Sequence, residues 1–129
     1  MLDLRQQVTL QQRWKRAQEE YLTARTRSQR DRAEYEQKNQ AFLDAQAGIL
    51  AQALEEGLPC PVCGAVHHPA LAQLAAHAPT QADVEQAQAA ADRSGAEAAK
   101  KSAAAAAQKS QYDTRESVLR DRLAQHLGN

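Results

Sequence analysis

Cys60 and Cys63 lie in the run Gly57-Leu58-Pro59-Cys60-Pro61-Val62-Cys63-Gly64-Ala65-Val66-His67-His68-Pro69. Two thiols at this spacing reach one metal ion when a tight turn points both sulfurs to the same side. Pro61 sets the backbone angle at the start of that turn. Gly64 accepts the positive φ that lets backbone N–H groups near the second cysteine face the sulfurs and relieve thiolate charge. Cys60 and Cys63 are therefore the candidate ligands, and Pro61, Val62 and Gly64 the candidate turn. Zinc is the default ion for such a pair, with Zn–S bonds near ~2.3 Å in tetrahedral geometry.

A structural zinc site takes four ligands, and the chain has only 2 cysteines. The missing pair can come from a second copy of the chain, from His67 or His68 in the same copy, or the thiols can form a redox pair with no metal. The redox route lacks the strand-to-helix setting of a thioredoxin-type CxxC, since no run of Val, Ile, Thr and aromatics lies nearby. The histidine route is sterically tight. His67 follows Cys63 closely, and Pro69 restricts His68 to extended backbone. His67 and His68 read instead as surface residues or donors behind the ligands, and His77 and His126 as residues without a partner. The route through a second copy is the expected one: a pair of ligands at an exposed tip, completed by the same pair from a twin.

The elements that present this tip follow from proline placement. Pro59, Pro61, Pro69 and Pro79 fall in one window, and residues 1–58 and 80–129 contain none. Proline costs a helix interior about 3 kcal/mol, so the pattern reads as two helices and one interruption. Charge divides the chain in the same way: both flanks balance acids against bases, while residues 57–79 hold only histidines. The expected segments are a first coiled-coil arm over 1–56, an apex over 57–79 and a second arm over 80–129. Gly57 is the expected stop of the first helix, and Thr80 with Asp83 is a capping-box signature for the second.

Heptad lines run along both arms. Trp14, Tyr21, Ser28, Tyr35, Phe42 and Ile49 recur every seven residues, with Ala17, Ala24, Asp31, Lys38, Ala45 and Gln52 as a weaker second line. The second arm repeats the period with Val84, Ala91, Ala98, Ala105, Tyr112, Leu119 and His126. Such lines form a coiled-coil seam. The fold class expected is all-α, a long antiparallel coiled-coil hairpin with the CxxC turn at its apex. With the two arms ending level, Glu56 lies near Thr80, and Tyr35 and Phe42 face the small-residue stretch near Lys101 and Ser94.

Composition excludes much else. The chain has 28 alanines and 17 glutamines against 20 residues of Phe, Ile, Leu and Val, and aromatics make up 4%. At roughly 25 cal/mol per Å² this supplies little compact core, whereas the strong helix formers favour helices that pair. The 16 basic and 16 acidic residues cancel, so the excess of positive charge that binds nucleic acid is missing. Arg25, Arg27, Arg30 and Arg32 are interleaved with Asp31, Glu34 and Glu36, which reads as a solvated face. No apolar run has the length of a membrane span. The start of the chain, Met1 to Gln7, lacks a secretory layout, and the expected compartment is reducing and cytoplasmic.

The run from Gly57 to Gly64, followed by His68-Pro69-Ala70-Leu71, resembles the zinc-hook apex of the SbcC family, the ATPase subunits of bacterial SbcCD nucleases and relatives of the structural-maintenance-of-chromosomes proteins. The likeness covers residues 57–71, and the arms match only as generic coiled coil. It implies two hooks meeting tip to tip, each giving Cys60 and Cys63 to one shared Zn2+, in a bacterial, nucleoid-associated protein. It also implies a segment from within a longer chain whose other parts bind ATP, DNA and a nuclease subunit in the repair and recombination of DNA ends. No G-x-x-x-x-G-K-[ST] loop occurs here. The segment itself is expected to be no enzyme and to hold no nucleic-acid site.

Leu58, Val62, Val66, Leu71 and Leu74 are the apolar residues of the tip. Their burial is worth roughly 1.5–3 kcal/mol each against association costs of at least about 4 kcal/mol. Zinc in small sites contributes roughly 10–16 kcal/mol, so the metal decides whether tips stay joined. Four thiolates leave the ion with excess negative charge, yet residues 57–79 hold no Lys or Arg, and Glu55 and Glu56 lie at the negative end of a helix dipole. Backbone N–H groups, with protonated His67 or His68, are the expected compensation, which would make the link pH-sensitive. The other reading is a monomeric zinc knuckle on a helical hairpin that binds a protein or nucleic acid.

Overall fold

The structure, a computed structural model, describes residues 4–73 and 76–128. It is all-helical. Helix α1 spans Leu4–Gln52 and α2 spans Gln81–Leu127, packed against each other as a hairpin with no strand among the described residues. Each helix lies in a proline-free stretch rich in Ala, Gln, Glu and Arg, where propensity is favourable throughout. No described helix is long and apolar enough to cross a membrane. Leu74 lies outside the described residues.

Both ends that face the connection have a local cause. At α2, the Thr80 N–H donates to Asp83 Oδ2 at 2.9 Å and the Asp83 N–H donates to Thr80 Oγ1 at 3.1 Å. This is the reciprocal capping box, satisfying donors that the first helical turn leaves open. Helix α1 stops at Gln52, earlier than Gly57. Its end tightens through Ala53 N–H to Leu50 O and Leu54 N–H to Ala51 O, both 3.2 Å, the three-residue pattern common at helix ends. Gly57 does take a positive φ, +88°, but in the turn beyond the helix rather than as its cap.

The chain divides into two compact units. One combines residues up to Arg30 with those from Asp92 onward, and the other is Asp31–Ala91. In the first unit the helices run antiparallel, because partners fall in number on α2 as they rise on α1. Gln7 Nε2 donates to Tyr112 O at 3.3 Å and to Glu116 Oε2 at 2.8 Å. Trp14 stacks at a tilt on Tyr112 with ring centroids 5.5 Å apart, and Lys109 Nζ lies 6.0 Å from the Trp14 centroid. Lys101 Nζ meets Glu20 Oε2 at 3.3 Å. Ala105 and Leu119 are buried, and Tyr21 is half-buried. His126, on the same heptad line, is exposed.

The second unit holds the rest of α1, the connection and the start of α2. Tyr35 and Phe42 are half-buried, while Val84, Ala87 and Ala91 are buried. The Asp83 carboxyl is held below its ordinary value first by the Thr80 N–H and hydroxyl and also by the charge of Lys38, so the start of α2 lies within electrostatic reach of Lys38. Beyond that point α1 runs on with Ala45 and Gly48 buried. Ile49 is 51% exposed. It does not join the seam, because the helix that would pair with it begins further back along α1.

These contacts correct the pairing expected from level arms. Lys101 meets Glu20 rather than Tyr35, and Gly95, next to Ser94, lies against Ser28 rather than Phe42. The difference is about two heptads. A heptad repeat is nearly unchanged by such a slide, so periodicity alone does not select between the two pairings.

Candidate metal centre

Three backbone hydrogen bonds shape the turn that carries the cysteines. Gly64 N–H donates to Cys60 O at 2.8 Å, Cys60 N–H to Ala65 O at 2.9 Å, and Gly57 N–H to Val66 O at 3.0 Å. The first closes the tight turn. The other two draw residues 65 and 66 back beside 57–60. Gly64 has φ +77°, a conformation that L side chains rarely adopt. Pro61 and Val62 lie at the exposed crown of the turn, and Val62 is 78% exposed.

The sulfurs differ in setting. Cys60 is buried, with 8% of its surface exposed, and Cys63 is exposed. The N–H of Cys63 and then that of Val62 face the Cys60 sulfur and hold its thiol below the ordinary value, and the Val62 bond measures 3.4 Å. Hydrogen bonds to a charged form favour that form. The turn therefore already stabilises the thiolate, which is the metal-binding species.

The next turn of chain brings up a third group. His67 Nδ1 meets Glu56 Oε1 at 2.7 Å; the carboxylate accepts, so Nδ1 carries the proton. This contact continues the pairing of 65–66 with 57–60 by one more step. It leaves the half-buried His68 folded back, with Nε2 3.4 Å from Cys63 Sγ. Cys60, Cys63 and His68 offer ligand atoms that all lie within 4.8 Å of one another. A tetrahedral ion with bonds of about 2.0–2.3 Å places its ligand atoms about 3.5–3.8 Å apart, so the three residues fit one ion.

No protein-family model matches this chain, nor does any curated protein or solved structure. The chemistry of the site accordingly rests on the residues themselves.

Sequence reasoning named Cys60 and Cys63, and the structure places them together. It set His68 behind the ligands on steric grounds, yet His68 lies in the cluster. The restriction from Pro69 is satisfied, because the chain has already reversed before it reaches His68. The available signal was the spacing Cys60-x-x-Cys63-x-x-x-x-His68, which is short but within reach once Gly64 turns the chain. His67, the other histidine considered, is held by Glu56. A metal ion, when bound, would supply a charge centre that joins the ligands, and Cys60, Cys63 and His68 would hold it.

Proposed function

We propose that this chain is a zinc-dependent tethering module in which two copies meet tip to tip and share one ion through Cys60 and Cys63 of each. The observation that carries this is the incomplete ligand set at an exposed turn. Among the described residues three candidate ligands are grouped, fewer than a closed structural site takes, and Cys63 is open to solvent. Leu58, Val62, Val66 and Leu71, each at least half exposed, would meet their counterparts as the tips join. On the likeness of residues 57–71 to the SbcC zinc hook, the module would link the coiled coils of an ATPase that works with a nuclease on DNA ends, with ATP, DNA and nuclease contacts lying elsewhere in the parent protein.

The test is stoichiometry by native mass spectrometry and sedimentation at limiting zinc. A dimer with one zinc per two chains, dispersed by chelator, supports the tether. The proximity of His68 to the sulfurs favours a second reading, a self-contained knuckle that binds another macromolecule; one zinc per monomer at every zinc level would support it.

A further inference from the structure

The Cys60–Cys63 pair has two competing ways to be completed, and His68 supplies one of them. It is held near the sulfurs by a local ladder: Cys60 N–H to Ala65 O, Gly57 N–H to Val66 O, and His67 to Glu56. Its Nε2 needs no partner chain to stand 3.4 Å from Cys63 Sγ. Charge separates the two arrangements further. Two thiolates and a neutral imidazole around a divalent ion sum to zero. Four thiolates leave two negative charges, in a segment where residues 57–79 contain no Lys or Arg. Removing charge from water without a partner is costly, so the neutral set is a real competitor to the shared one.

We propose that His68 makes the tether sensitive to zinc supply: limiting zinc joins two chains through four thiolates, and excess zinc lets each chain keep its own ion on Cys60, Cys63 and His68. This rests on the tethering function proposed above. The exchange balances simply. A dimer holding one ion takes up a second: the first ion exchanges two of its four thiolates for one imidazole and a solvent molecule, and the incoming ion exchanges solvent for the two released thiolates and the other imidazole. Solvent fills the remaining position on each ion. His68 is thus the group that releases the partner.

The experiment uses the full chain, the His68→Ala variant and, as a surface-histidine control, His77→Ala, titrated with zinc and followed by native mass spectrometry and sedimentation. The expected result for the unmodified chain and for His77→Ala is a one-zinc dimer at half an equivalent and one-zinc monomers at excess. For His68→Ala the free zinc needed to split the dimer should rise roughly 100-fold, the loss of one of about four ligands. Cobalt gives a readout independent of the variant: thiolate-to-metal absorbance per ion should fall by about half as four thiolates become two. A dimer that persists at excess zinc equally in all three chains overturns the inference and leaves the tether standing. Absence of a dimer at every zinc level overturns the tether, and the inference with it.

Discussion

Cys63 Sγ and His68 Nε2 lie 3.4 Å apart, on opposite sides of a chain reversal that begins at Gly64. The reversal places an imidazole beside a thiol that faces solvent, while Cys60 sits buried under the same turn. One sulfur is therefore fixed and shielded and the other is accessible, which suits a site that closes against something from outside. The expected behaviour of the molecule follows from this turn, from the cap of α2 and from the seam.

Gly64 takes φ +77°, and a Cβ built there meets nothing within 4 Å. The cost of Gly64→Ala is then conformational alone, about 1–2 kcal/mol. Because the strain falls on the ligand turn, zinc affinity should drop roughly 5- to 30-fold with helix content unchanged. Competition against a chromophoric chelator, with circular dichroism alongside, measures both.

Gly95 presents the opposite case. It lies inside α2, and a Cβ there would meet Ser28 Oγ at 3.7 Å, an ordinary contact. Gly95→Ala should stabilise the protein by roughly 0.5–1 kcal/mol, since glycine is the poorer helix residue. A thermal melt should rise by a few degrees; a fall would mean that a bulkier side chain than Ser28 faces this position.

Thr80→Ala removes one half of the capping box and should cost about 1 kcal/mol. The Asp83 carboxyl is held below its ordinary value first by the Thr80 N–H and then by its hydroxyl. A depressed folded value means that the contribution is full above the unfolded carboxylate value near ~3.9 and is lost as pH falls toward the folded one. The gap in melting temperature between the unmodified chain and Asp83→Ala should therefore be full at neutral pH and narrow only as the pH falls below about 4.

Cys60 should titrate below an ordinary thiol because the N–H groups of Cys63 and Val62 face its sulfur. In metal-free Cys63→Ser, thiolate absorbance should rise with a midpoint below about 8.5, and it should return to that value in denaturant. The sign carries to metal binding: protons compete with zinc only as pH falls through the lowered value, so affinity should hold further toward acid than for an unperturbed thiol. Equal midpoints in the folded and unfolded chain would remove the argument that the turn prepares the thiolate.

The sequence by itself determined the features whose causes are local. Confined prolines and strong helix formers specify two helices, Thr80 and Asp83 specify where α2 begins, and the heptad lines through Trp14, Tyr21, Tyr35, Phe42, Val84, Tyr112 and Leu119 fall where side chains are buried or half-buried. Cys60 and Cys63 were legible for the same reason, since a turn of four residues is fixed by its own Pro and Gly. The tertiary structure alone decided the pairing of the helices and the fate of Ile49 and His68. A heptad repeat reads the same after a slide of whole heptads, so the pairing of Lys101 with Glu20 and the exposure of Ile49 emerge only in the folded chain. His68 reaches the sulfurs through hydrogen bonds among Gly57, Cys60, Ala65 and Val66 and the contact of Glu56 with His67, a cooperative arrangement that no single residue type announces.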